Sequence, residues 1–309
     1  MFYAIGFALV AAVLAGLSPL YWTRLYFVPV LEIVAHAVLW STLLLLIAIA
    51  ATGRLGLFAN ALDKRTVLLH CIANLFMVCN YYLLVYASLH ATLLLLSMGY
   101  FLAPLLESLL GRVFRREALS SRQNVAILVG VFAAIVIGIG FEAVPVVGLL
   151  AAVSMALHRV LTSFKPLPPD MSAALEGLGL IVPAIAYIAV ITANGTSLFW
   201  HISGQVNGLL LGSGLIVALP LFFVCKAAAS LCPNVLQLVG YATPTLFLLL
   251  AIFNTGEALP LIAFIGFLML WMAFTMDIME RLRRTKETKA SEILGDAGVG
   301  DGFIAASPV

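Results

Sequence analysis

Apolar residues run along this chain in long, nearly uninterrupted stretches, separated by short clusters of charge, glycine and proline. A helix that crosses a membrane takes about 17 to 25 mainly apolar residues. Cutting the sequence at its turn and charge signals predicts ten such spans, at residues 3–22, 30–51, 67–87, 91–113, 124–141, 144–163, 171–192, 208–229, 233–253 and 259–279. The weakest cut falls at 140–144, where Glu142 and Pro145 interrupt a continuous apolar run. The first run has no basic leader segment and no small-residue cleavage pattern, so it reads as a span. Beyond Met279 the chain becomes basic and then rich in Gly, Ala and Asp, a composition without a core-forming pattern that predicts a mobile tail.

Composition agrees with the pattern. Of 309 residues, 63% are hydrophobic and 10% charged, with a mean hydropathy of +1.14. A soluble surface takes about 25% charge. The four cysteines, Cys71, Cys79, Cys225 and Cys232, lie in apolar stretches without C-x-x-C spacing, so they read as free thiols.

The placement of charge orients the chain. Of sixteen Lys and Arg, thirteen follow spans 2, 4, 6 and 10, among them Arg54, Lys64, Arg115, Lys165 and Arg283. Arg24 alone follows an odd-numbered span, and Arg159 and Lys226 lie within spans or at their ends. Basic loops stay in the cytoplasm, so both termini are predicted there, and the alternation supports an even number of spans. Trp22 and Trp200 fall where this topology puts the outer interface.

The chain also repeats itself. Residues 104–119 read P-L-L-E-S-L-L-G-R-V-F-R-R-E-A-L, and residues 244–259 read P-T-L-F-L-L-L-A-I-F-N-T-G-E-A-L. The proline, Leu106/Leu246 and Glu-Ala-Leu recur at one offset of 140 residues, which also aligns Ala11-Ala12-Val13 with Ala151-Ala152-Val153. An offset of five spans is odd, so equivalent helices run in opposite directions. The expectation is an all-α membrane protein of ten helices in two inverted five-helix halves, 1–141 and 142–280, with a tail from 281 to 309. Inverted halves that rock about a midplane site are a transporter architecture.

Three segments resemble the RarD family of the EamA/drug-metabolite transporter superfamily. Residues 25–41, L-Y-F-V-P-V-L-E-I-V-A-H-A-V-L-W-S, are similar to its Y-V-P-x-x-E-I-x-x-H-R-x-x-W-S signature, and 97–105, S-M-G-Y-F-L-A-P-L, to its S-L-G-Y-F-I-N-P-L. The third is 244–257, with Met276-Asp277 matching the last helix. The resemblance implies ten helices in two inverted halves, a central cavity, a bacterial inner-membrane location, and export or exchange of small metabolites or drugs without ATP. Departures fall on polar positions. Ala37 replaces the family's Arg, Ala103 its Asn, Leu95 a Glu and Gly240 a Gln, while Thr162-Ser163 stand for a basic pair with Arg159 nearby.

Candidate solute-binding residues follow from the cost of polar groups in lipid, roughly 2.5–3.5 kcal/mol for a charge at mid-span. His36 reads either as a protonatable cavity residue or as a structural histidine. Trp40, one turn on, either lines the same cavity or packs. Asn80 and Tyr81 match family polar and aromatic positions, although an intramembrane Asn also serves as glue between helices. Tyr100 and Tyr241 stand beside Pro104 and Pro244, which remove a backbone N–H and bend their helices. Glu107 points either into the cavity or towards Arg112, and Glu176 matches a family Glu. Lys226, where the family has a small apolar residue, either snorkels to water or meets an anionic solute or Glu176 from the cavity. Glu117, Glu257 and Asp277, at helix ends, read as structural.

The function expected is therefore secondary transport of a small amphipathic metabolite or drug by alternating access. The alternatives are a channel or a membrane enzyme. Five scattered histidines without H-E-x-x-H spacing argue against an enzyme, and the lack of a G-x-x-x-x-G-K-[ST] loop argues against nucleotide-driven pumping. The partners expected are a small-molecule solute and membrane lipid, with coupling to protons or a counter-solute, and neither nucleic acid nor a cofactor or metal.

Overall fold

The computed structural model describes the backbone of residues 2–300 and the side chains in that range except Lys286 and 288–300. The described residues form α1 (Phe2–Trp22), α2 (Val30–Ala51), α3 (Leu55–Asn60), α4 (Lys64–Leu89), α5 (Leu93–Phe114), α6 (Ser121–Gly140), α7 (Val146–Thr162), α8 (Pro169–Ala193), α9 (Gly204–Ala228), α10 (Pro233–Gly240), α11 (Ala242–Phe253) and α12 (Leu261–Gly300). The short α3 lies in the connection between α2 and α4. Nine helical segments among the described residues are long and apolar enough to cross a membrane, α10 and α11 counting together as one, and α7 is a shorter apolar helix of 17 residues. The protein is an all-helical, multi-pass membrane protein.

Two elements differ from expectation. The interruption expected beside Pro244 falls at Tyr241, between α10 and α11, whereas α5 runs through Pro104 as one helix. The tail continues α12 as far as Gly300, and residues 301–309 lie outside the described residues.

Helix starts are set by local chemistry. Asp63 accepts from the Arg65 and Thr66 N–H groups at 2.8 Å and caps α4. The Thr66 N–H and the Lys165 ammonium hold the Asp63 carboxyl below the usual carboxylate range. Ser120 and Gln123 form a reciprocal capping box on α6. No side chain of its own sequence neighbourhood caps α5. Its first N–H groups, at Leu93 and Leu94, instead donate to Glu257 from the α11–α12 connection, at 2.8 and 2.9 Å. Glu257→Ala is expected to cost about 1–2 kcal/mol, a large N-cap loss. Thermal unfolding in detergent checks this, with Glu257→Gln retaining part of the difference.

The two ends of the bundle are chemically distinct. At one end basic side chains bridge the connections: Arg54 to Asp170 at 2.7 Å, Lys165 to Asp63 at 3.0 Å, and Arg115 to Ser163 at 2.8 Å. At the opposite end buried Glu32 accepts from Ser197 and Leu198, both at 2.9 Å. That end is sealed by a buried apolar cluster of Trp22, Leu25, Val28, Ile33, Val34, Val85, Val206 and Leu210.

Helices approach closely where side chains are small, as membrane packing favours. A Cβ on Gly99 of α5 would strike the carbonyl of Gly148 on α7, and one on Gly148 would strike the carbonyl of Leu95. On α9, Gly214 lies against the backbone of Trp40 and Ser41 in α2.

Candidate functional site

Two cavities open towards the basic end. The first, about 410 Å³, lies among α2, α4, α7, α8 and α9, with Ser41, Thr42, Asn74, Tyr81, His158, Arg159, Ser172 and Glu176 on its walls. The second, about 440 Å³, lies among α5, α7, α9, α10 and α11, with Tyr100, Pro104, Glu107, Gln237, Tyr241 and Pro244. Arg159 lines both. Its guanidinium meets Glu107 through one long contact of 3.4 Å.

Buried Glu176 is the centre of the polar wall of the first cavity. Its Oε1 accepts from Ser172 Oγ at 2.8 Å and lies 3.2 Å from His70 Nδ1. Its Oε2 lies 3.0 Å from His158 Nε2. Its backbone carbonyl accepts from Asn74 Nδ2. Ser172 Oγ also lies 3.2 Å from His70 Nδ1, and His70 Nε2 lies 3.0 Å from the Lys165 carbonyl. A carboxylate in an apolar span needs such partners, because desolvation of an isolated charge costs several kcal/mol.

Aromatic rings wall the second cavity. Tyr241 stacks on Phe274 with ring centroids 3.5 Å apart, and Tyr100 meets Phe247 edge-on at 5.3 Å. Among the described residues, the hydroxyls of Tyr81 and Tyr241 are buried without a hydrogen-bond partner, each in a residue that lines a cavity.

No family model matches the chain. Curated relatives do, over nearly its whole length. Protein RarD of Escherichia coli is 26% identical over 284 residues, covering 91% of this chain and 96% of that one. Protein RarD of Streptomyces exfoliatus is 29% identical over 277 residues, covering 89% and 88%. An uncharacterized transporter of Vibrio cholerae is 30% identical over 280 residues, covering 89% and 92%. The chain belongs to the RarD-like family of membrane transporters. Relatives named as transporters imply a small-molecule solute as its partner.

In this RarD-like chain the residues singled out from sequence separate into two groups. Tyr81 and Glu176 line the first cavity, and Tyr100, Tyr241, Pro104 and Pro244 the second. Asn80 is buried behind them. It accepts from Tyr100 OH at 2.7 Å and donates to the Ala151 carbonyl at 3.2 Å, bonding α4 to α5 and α7. His36 and Trp40 are in the lining of neither cavity: Trp40 Nε1 donates to His36 Nδ1 at 3.2 Å and the His36 ring packs on Phe199. Lys226 is exposed, with its ammonium 5.5 Å from the centre of the Phe222 ring, while Glu176 is partnered by His70, His158 and Ser172. The basic side chain facing the cavities is Arg159, and Glu107 pairs with it rather than with Arg112. Asp277 is structural: it accepts from Arg281 Nε at 2.7 Å.

His70 was not singled out from sequence. The signal was present, since an ionisable residue near the start of span 3 meets the same cost that drew attention to His36. Its significance comes from Glu176, 106 residues away.

Proposed function

We propose that this protein is a secondary transporter that moves a small amphipathic metabolite or drug across a bacterial inner membrane by alternating access, with both termini in the cytoplasm. The observation that carries this reading is a pair of cavities open towards the basic end and sealed at the opposite end by the cluster around Trp22. Basic loops remain on the cytoplasmic side, so the cavities face inward. A sealed far end favours alternating access over a continuous pore.

Helix packing supports ten spans in two inverted halves. Take α1, α2, α4, α5 and α6 as the first half, and α7, α8, α9, α10–α11 and α12 as the second. Exchanging the halves turns the α1–α9 contact into α7–α4, and α1–α11 into α7–α5; the α2–α8, α5–α11 and α6–α12 contacts map onto themselves. The 140-residue offset that aligns the halves also maps His36 onto Glu176, ionisable groups facing opposite ends. With 17 residues, α7 is long enough to cross the hydrocarbon core at the lower limit of span length.

The walls define the solute in outline. They are mainly apolar and aromatic, with the Arg159–Glu107 pair available to orient polar groups. Basic side chains at the cytoplasmic end attract anionic lipid headgroups.

Purified protein in liposomes, loaded with a bacterial metabolite extract, should release specific small solutes without ATP, as read by mass spectrometry of the medium. Tyr100→Ala and Tyr241→Ala should lower that flux at least tenfold, the equivalent of about 1.4 kcal/mol, while the protein remains folded. Release that needs added ATP, or full activity in both variants, contradicts the reading.

A further inference from the structure

We infer that His70, Ser172 and Glu176 form a binding site for one dissociable proton, and that this proton clamps α4 to α8 in the inward-facing protein. The inference deepens the transporter reading on which it rests, by naming the coupling ion and its site.

The argument is a count of hydrogens. The Lys165 carbonyl only accepts, so the 3.0 Å contact to His70 Nε2 places a hydrogen on that nitrogen. A neutral ring then presents a lone pair at Nδ1. That lone pair would face Glu176 Oε1 and Ser172 Oγ, both at 3.2 Å, while those two oxygens are 2.8 Å apart. Three acceptor atoms form a triangle, and the serine hydroxyl brings one hydrogen to it. With Glu176 ionised and His70 neutral, two lone pairs would meet across the His70–Glu176 edge at low dielectric. One further proton on that edge makes the triangle attractive.

With His158 in its Nε2–H tautomer, two donors meet the Glu176 carboxylate, Ser172 at Oε1 and His158 at Oε2 3.0 Å away, and the carboxylate form is the better solvated one. The proton therefore sits on His70 Nδ1, making an imidazolium–carboxylate pair. Cavity charge agrees. Glu107 is matched by Arg159, which leaves Glu176, among the described residues, as the cavity carboxylate without a guanidinium or ammonium.

The groups around Glu176 are these. From α4 come His70 and, against Gly179, the Cys71 thiol. From α7 come His158 and Arg159, and from α2 Ser41 and Thr42 on the shared cavity wall. Nearer the basic end, Asp170 of α8 pairs with Arg54 and interacts with Cys225 of α9, and the Lys165 ammonium is held by Asp63.

The site spans the proposed halves, because His70 is on α4 and Ser172 and Glu176 are on α8. Glu176 and His158 also line the first cavity. His70 is fully buried, so its proton reaches cavity water only by way of Ser172 and Glu176, which line the cavity; once it has left, His70 is neutral, Glu176 is a carboxylate and the triangle is repulsive. The freed carboxylate is then available to a hydrogen-bond donor on a solute. Proton and solute thus compete for Glu176, which makes the exchange one of proton against solute.

The test needs no solute. Nitrogen-15 spectra of histidine-labelled full-length protein in lipid nanodiscs at pH 7 should show hydrogens on both ring nitrogens of His70, assigned by signal loss in His70→Gln. In Glu176→Gln, hydrogen should remain only on Nε2. Spin labels at exposed Leu68 and Val182 should report an α4–α8 distance that changes between about pH 6 and pH 9, a range that begins near the ordinary imidazole value of about 6.5 and extends above it, as a site still loaded at pH 7 requires. That change should vanish in both variants. If a variant does not fold, the wild-type spectrum and distances decide alone, with His70 assigned by eliminating the other four histidines. A singly protonated His70 in the wild type, or an α4–α8 distance that ignores pH, overturns the inference. Liposome transport would stand or fall separately.

Discussion

Replacing Gly148 with valine is expected to destabilise the helix bundle strongly. A Cβ at this position meets the Leu95 carbonyl and, at 2.5 Å, the Met98 methyl, while Gly99 across the interface already touches the Gly148 carbonyl. Met98 can move, whereas the backbone of α5 can move only by separating the helices. Overpacking of this kind costs about 3 kcal/mol at the upper end of its usual range. Against a typical margin of about 5–15 kcal/mol, a loss of that size lowers the melting temperature and the abundance in a cell. Gly208 of α9 has nothing within 4 Å of its Cβ position. Gly208→Val is therefore the control, expected to melt within a few degrees of wild type. Equal melting temperatures for the two variants, by size-exclusion or fluorescence-monitored unfolding, would remove close α5–α7 packing from the account.

The second large effect is expected at Asp277. Its carboxylate is buried, accepts from Arg281 Nε at 2.7 Å, and lies 3.3 Å from both Ser108 Oγ and Gln123 Nε2. Arg281 in turn donates to the Pro104 carbonyl at 3.0 Å and to Ser108 at 2.6 Å, tying α12 to α5. Removing the carboxylate leaves a guanidinium among groups that cannot neutralise it. Breaking a buried pair costs about 3–5 kcal/mol, and the partial exposure of Arg281 puts this one at about 3. Asp277→Asn keeps acceptor geometry and should lose less. Glu117→Ala should cost under about 1 kcal/mol, since its partner Arg115 and the pair itself lie near water. If Asp277→Ala and Glu117→Ala melted alike, the buried network would be energetically silent.

What was legible in the sequence was what depends on local composition. Apolar runs of span length and the alternation of basic loops predicted where helices lie, and the Asn194-Gly195 turn signal falls where α8 ends, with Gly195 at φ +68°. The same local logic located the interruption at Glu142, which has φ +53°. Partners distant in sequence were not legible. Glu257 read as structural, yet that it caps α5 from 164 residues away required the fold. Glu107 had two readings, and choosing Arg159 required α5 and α7 to face each other across a cavity. Lys226 illustrates the same limit from the other side: its span was identifiable, but whether its face met lipid or cavity was not, because α9 shows little amphipathic contrast.

Alternating access is tested most directly by asking from which side each end of the cavity can be reached. In a background without native cysteines, Val217→Cys, half-buried on the cavity wall, marks the open cavity and Val85→Cys the sealed cluster. Lys165→Cys and Gly195→Cys, in connections at opposite ends, report sidedness. A membrane-impermeant thiol reagent should reach Val217→Cys and Lys165→Cys only from the cytoplasmic side, and Gly195→Cys only from outside. Val85→Cys should be protected from both sides at rest. Under counterflow, with metabolite extract on both sides of the membrane, it should become reactive from outside while Val217→Cys slows. Reaction of Val217→Cys and Val85→Cys from the same side, or protection of Val85→Cys throughout turnover, would contradict the account.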